Sequence, residues 1–141
     1  MANNQQQFSF EATFPSRAIR DEVLAHFLAR DRAEDQCPAG TGSVQLHGID
    51  ARAQDDGTTA SIWFSDKAGS PDLDGFAEFL HEELKRLDLG VIIGFEWAVT
   101  CSRPMTGQFG GGAVAISRAQ IRWLNTGTWL SAALDELAKP G

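Results

Sequence analysis

Cysteine is scarce in this 141-residue chain: only Cys37 and Cys101 occur, far apart and in no CxxC pair. That excludes a zinc ribbon and argues against a disulfide in a reducing compartment. Positive charge is scarce too. Twelve Lys and Arg stand against nineteen Asp and Glu, a net charge of −7, which opposes attraction to a phosphate backbone or an anionic lipid surface. No apolar run reaches the ~18 residues of a membrane span. Met1 to Gln7 is polar and lacks the basic start and apolar stretch of a secretory leader. These absences predict a cytoplasmic protein whose partners include neither a membrane nor a long nucleic acid. The three histidines, His26, His47 and His81, share no HxxxH-type spacing, so neither a metal nor another cofactor is expected.

What is there suits a folded domain. The chain is 43% hydrophobic and 22% charged, a balance that can bury a core. Its length corresponds to one domain, at ~100–200 residues apiece. The expectation is a single α+β domain over 1–141, with 1–6 as a flexible N-terminus.

Phe8, Phe10, Ala12 and Phe14 alternate with polar residues, the period of a strand with one buried face, so residues 7–14 are predicted as a strand. Ser16 is placed to cap a helix in which Ile19, Val23, Leu24, Phe27 and Leu28 recur at helical spacing, running to about Arg30. Residues 31–42 read as a surface loop. A strand follows from Ser43, with a phase shift that predicts a bulge at Gly48. Asp56-Gly57 signals a hairpin, and Ala60, Ile62 and Phe64 give the inward face of its second strand.

Ser70-Pro71-Asp72 reads as the capped start of a second helix. Its buried stripe is Leu73, Phe76, Leu80, Leu84 and Leu87, and Gly90 closes it. Glu78, Glu82, Glu83 and Lys85 form a face expected to be solvated or to meet a partner. Val91 to Cys101 predicts a strand apolar on both faces, Cys101 falling in its inward phase, and Ala113 to Ile116 a short partner strand. Thr126 or Thr128 caps a last helix bearing Trp129, Leu130, Ala133, Leu134 and Leu137. The order β-α-β-β-α-β, then β-α, predicts a ferredoxin-like sandwich extended by a C-terminal hairpin strand and helix.

Charge is unevenly spread. Residues 50–88 hold ten acids and four bases, whereas 89–134 hold one acid, Glu96, and three bases, Arg103, Arg118 and Arg122. The same stretch contains Trp97, Trp123, Trp129 and the run Phe109-Gly110-Gly111-Gly112. Consecutive glycines can expose N–H groups to an anion, or can mark a bulged hairpin. Arginine beside an aromatic plane can hold a phosphate and a nucleobase. A ligand site is therefore expected at Arg103, Phe109, Gly110, Gly111, Gly112, Arg122, Trp123, Asn125 and Thr126. Trp97 and Trp129 fit core positions instead. Trp63, out of phase with its strand's apolar face, joins Ile92 and Ala98 as an expected subunit interface that would allow a homodimer.

Phe109-Gly110-Gly111-Gly112-Ala113-Val114, Ile116, Trp123-Leu124-Asn125-Thr126 and Trp129-Leu130 together resemble a pattern of small uncharacterised proteins of phages and bacteria. The resemblance implies a phage-related protein of the counter-defence type, and carries no activity to particular residues. No catalytic set assembles from the sequence. The leading expectation is a non-catalytic binding protein that captures a nucleotide-like phosphate ligand or occupies a protein partner. The alternative is a small-metabolite enzyme using Glu96 or His47 as acid or base, Glu96 standing beside apolar Ile92 and Ala98 where desolvation would raise its pKa.

Overall fold

Aromatic alternation at the N-terminus decides the architecture, because the first strand serves two sheets. The computed structural model describes residues 4–36, 46, 48–55, 59–67, 71–101 and 110–139. Strand β1 (Asn4–Gln7) pairs antiparallel with β5 (Ile93–Cys101), Gln7 standing opposite Ala98. One residue later, β2 (Ser9–Phe14) pairs with β4 (Ala60–Asp66), Ser9 standing opposite Ser65. Phe8 is the crossing point. Its carbonyl accepts from the Asp66 N–H at 3.2 Å, and its own N–H donates to the Asp66 carboxylate at 3.0 Å.

The result is α+β with two separate antiparallel sheets, ordered β1-β5-β6-β7 and β2-β4-β3. The α+β class is as expected from the sequence, with the strands divided between two sheets. The space between β2 and β5 is filled by rings: Phe10 stacks on Phe95 at 4.8 Å and Phe8 lies 5.4 Å from it. Residues 4–6, expected in a flexible terminus, are in strand with Gln7.

Helix α1 (Arg17–Gln36) starts where predicted, with the Ser16 hydroxyl accepting from the Ile19 N–H at 3.2 Å, and continues past Arg30. Val23 and Phe27 supply its buried face. Arg20 is also buried, at 4% exposure. Its guanidinium donates to the carbonyls of Gln54 (2.9 Å) and Ser61 (3.2 Å) and pairs with Asp21 and Asp55, tying α1 to β3 (Ile49–Asp55) and β4. The Asp21 hydrogen bond holds its pKa above the ordinary value against the opposing effect of burial, and Asp55 adds to it. Gly48, expected to be a bulge, takes φ +97° just before β3. Cys37, residues 43–45, His47 and Asp56-Gly57 lie outside the described residues, as does the Cys101 side chain; of the strand expected from Ser43, Leu46 is buried but outside any strand, and the strand begins at Ile49.

Helix α2 (Leu73–Arg86) carries the densest core face. Eight of its residues are buried, including Leu73, Phe76, Phe79, Leu80 and Leu84. The Phe76 ring lies 4.9 to 6.3 Å from those of Phe8, Phe10, Phe27, Phe64 and Phe95, so one side chain joins both helices to both sheets. The cap is Asp72, whose side chain accepts from Gly75 N–H, and Pro71 precedes it. At the other end, Asp88 rather than Gly90 takes the left-handed conformation, at φ +50°. The expected solvated acidic face is corrected at Glu83, which is 4% exposed. It accepts from Arg86 at 2.9 Å and meets His26 of α1 at 3.1 Å, while Arg86 also reaches Glu22. Glu83 first, then Glu22, raises the Arg86 pKa well above its ordinary value.

Beyond β5, the chain forms β6 (Gly110–Ile116), β7 (Ile121–Asn125) and α3 (Thr126–Ala138). Strand β7 was not anticipated: five residues containing arginine and asparagine give too short an alternation to stand out.

Candidate functional site

The glycine run has a packing origin. Gly111 (φ +151°) and Gly112 lie in β6 between β5 and β7. A Cβ on Gly111 would collide with the Trp97 carbonyl, and one on Gly112 with the Leu124 carbonyl and the Trp97 ring. Glycine is thus required for Trp97 to lie against the strand, as a close backbone approach demands. Gly110 is exposed at the strand's start.

Asn125 and Thr126 also have structural partners. The Asn125 Oδ1 accepts from the Thr128 N–H at 3.0 Å and caps α3, so the cap is Asn125 rather than a threonine. The Thr126 hydroxyl donates to the Gly111 carbonyl at 2.9 Å. Arg118 pairs with Asp88 at 2.8 Å, pinning the β6–β7 turn to the end of α2.

Neighbouring side chains on β7 face opposite ways. Trp123, paired with buried Val114, turns toward Trp97, the ring centroids 5.7 Å apart and the planes at 71°. Arg122, paired with Ala115, is on the other face. Adjacent in sequence, the two residues line one cleft along the strand although their side chains leave it on opposite faces. Arg103 and Phe109 lie outside the described residues.

A cleft of about 240 Å³ runs along β6 and β7, lined by Ala113, Val114, Ala115, Arg122, Trp123 and Leu124. Two larger clefts flank β7. One, of about 300 Å³, is lined by Pro71, Asp72, Leu73 and Asp74 from the start of α2 and by Trp97, Trp123, Leu124 and Asn125 from the sheet. Its charged lining groups are carboxylates. The other, of about 310 Å³, brings together Ile92 and Arg122 with Ala115, Ile116, Ser117 and Gln120. Of the expected interface residues, Ile92 is 73% exposed and Ala98 is exposed, both at sheet β1-β5-β6-β7. Trp63 lies on the other sheet, its indole N–H donating to Ser9 Oγ at 2.7 Å and Arg52 beside its ring. Glu96 is exposed and lines none of these clefts.

The largest departure from expectation is α3. Its residues Trp129, Leu130, Leu134 and Leu137 were read as a core face, yet Trp129 is 61% exposed and no residue of the helix is buried. On β7, Trp123 and Leu124 are exposed as well, at 44% and 48%. Helical spacing marks an apolar stripe but not what covers it. Leu124, Leu134, Leu137, Asp72 and Asp74 were therefore absent from the expected site.

Among the described residues, no group of three or more His, Cys, Asp or Glu side chains is arranged to hold a metal ion, and no helix is long and apolar enough to cross a membrane. No protein-family model, curated protein or solved structure matches the chain.

Proposed function

We propose that this chain is a non-catalytic binding protein that assembles through β7 and α3, the occupant of that surface being a second copy of the chain. The observation that carries the proposal is the 13-residue helix α3, with one tryptophan and three leucines exposed and nothing buried. Leaving such a stripe in water forfeits ~1.5–3 kcal/mol per large apolar side chain.

Three features favour a second copy as occupant. Strand β7 is the margin of its sheet, pairing only with β6 among the described residues, and carries one charge, Arg122, in place of the lysines and prolines that commonly protect an edge. Residues 121–138 hold one base and two acids within a chain of net charge −7, so two copies repel least there. An antiparallel pairing of β7 with itself about Trp123 is isologous and closes in a single step. It sets Asn125 beside Ile121 of the second copy, so that α3 begins next to the second copy's cleft around Ile92 and Arg122. Asp135 and Glu136 of α3 complement that arginine in charge. With Trp129, whose side chain buries roughly 150–250 Å² when covered, and Leu124, Leu130, Leu134 and Leu137, the surface supplies a large share of the ~800 Å² per partner of a standard interface.

The proposal does not take up phosphate capture at the cleft between Trp97 and Trp123, because the aspartates Asp72 and Asp74 line it. Exposed Glu96 offers no desolvated acid on which to build an enzyme. The finer fold assignment belongs to the same proposal: we read the strand sequence β3-β4-(β2,β1)-β5, followed through Phe8, as a divided ferredoxin-like arrangement to which β6, β7 and α3 are added. The stretch that resembles small phage and bacterial proteins coincides with β6, β7 and the start of α3, which makes a phage-related, counter-defence assembly the biological form of the proposal.

Sedimentation velocity across micromolar concentrations tests it. The wild type is expected to be dimeric, and the double variant Leu134→Glu, Leu137→Glu monomeric with an unchanged circular dichroism spectrum. A wild type that stays monomeric at the highest concentration overturns the proposal.

A further inference from the structure

We infer that the cleft between Trp97, Trp123 and the first turn of α2 binds a small organic cation bearing a methylated ammonium group. The argument starts from the two indoles. Their planes stand at 71° with centroids 5.7 Å apart, an edge-to-face contact rather than a stack, and both residues line the cleft. Trp123 is 44% exposed and its ring borders the opening. The Trp97 ring lies where a Gly112 side chain would otherwise be, which fixes it against β6 before any ligand arrives. Aromatic faces carry negative potential and attract alkylated ammonium groups, whose diffuse charge is cheaply desolvated.

The remaining walls agree in sign. Pro71, Asp72, Leu73 and Asp74 close the cleft from α2, and no lysine, arginine or histidine is among its described lining residues. The positive end of α2, which would otherwise favour an anion, is answered by the chain itself: Asp72 accepts from the Gly75 N–H and Asp74 occupies the first turn. An anion entering here meets two aspartates and two indoles. A cation meets the same four groups as partners. The volume, about 300 Å³, is at the lower end of ligand pockets at ~300–1,000 Å³, and so suits one small head group rather than a nucleotide.

Isothermal titration of the full chain with tetramethylammonium and with choline tests the inference, with sodium chloride at matched ionic strength as blank and AMP as the anionic comparison. Saturable binding of both cations and none of AMP is expected. Trp123→Ala is expected to weaken choline binding about tenfold. Trp123→Phe, which keeps an aromatic face, retains part of it and guards against a folding artefact. Asp74→Asn, at an exposed position, is expected to weaken binding several-fold with an unchanged unfolding midpoint. A trimethyllysine peptide run alongside separates the two sources of this chemistry: tighter binding of the peptide assigns a modified protein side chain, and tighter binding of choline a free metabolite. Absence of saturable binding of either tetramethylammonium or choline at tens of millimolar overturns the inference, as does cation binding that survives both Trp123→Ala and Asp74→Asn. Neither Leu134 nor Leu137 lines the cleft, so the Leu134→Glu, Leu137→Glu variant is expected to bind choline as the wild type does. Failure of assembly and failure of the cleft are thereby read separately.

Discussion

Helices α2 and α3 are of nearly equal length, 14 and 13 residues, and both bear an apolar stripe, yet eight residues of α2 are buried and none of α3. The difference is one of position. Strands at both ends of α2 return it to the place where the two sheets meet, and Phe76 finds rings on every side there. Helix α3 follows the last strand of its sheet, and among the described residues nothing stands beyond that strand. The two margins repeat the contrast. Edge strand β3 carries Asp50, Arg52 and Asp55, engaged in ion pairs with one another or with α1, whereas β7 presents Trp123 and Leu124. Charged margins resist addition of another strand and apolar ones invite it.

Substitutions can break this comparison in graded steps. Phe76→Ala is expected to cost about 3–5 kcal/mol of unfolding free energy, whereas Trp129→Ala is expected to change the stability of the monomer by no more than ~0.5 kcal/mol; urea denaturation at dilute concentration measures both. If the Trp129 change costs as much as the Phe76 change, α3 belongs to the core after all. Next in size is Arg20→Met, which leaves the buried carbonyls of Gln54 and Ser61 without their donor and is expected to cost about 3 kcal/mol, read from the same unfolding curves. Gly112→Ala is then expected to cost about 1–3 kcal/mol through overpacking against Trp97 and Leu124. Its control, Gly94→Ala, meets only an ordinary contact with the Val114 carbonyl at 3.5 Å and stays within ~0.5 kcal/mol. Smallest are the caps. Asp72→Ala is expected to lower global stability by ~1 kcal/mol, while Asn125→Ala speeds amide exchange within α3 and leaves the unfolding midpoint nearly unmoved. Equal global effects from the two caps would show α3 folding together with the core.

The helices and the core strands were readable because their periods are long and unambiguous. The stripe of α2 and the alternation from Phe8 to Phe14 each correspond to one buried face. What escaped were choices made by tertiary context. The change of partner at Phe8 leaves the period of two intact, so alternation does not show that a strand serves two sheets. Trp129 and Leu134 read as core because the pattern reports amphipathicity and not the existence of a neighbour. The glycine run drew attention for its anion-cradling capacity, but the demand for glycine comes from Trp97, fifteen residues before Gly112 and brought beside it only by pairing. The carboxylates at the cleft were noticed as the beginning of a helix, with nothing in the sequence to set them opposite two indoles.

One residue links these regions mechanically. Asn125 is both the last residue of β7 and the cap of α3, opposite Gly112 in the sheet, and no linker residue separates strand from helix. A hinge without slack behaves as a lever. Any load that swings α3 must either release the Thr128 N–H from the Asn125 side chain or pull on the Gly112–Asn125 pair against which the Trp97 ring rests. The swing of α3 is therefore limited by the sheet pairing of its own capping residue.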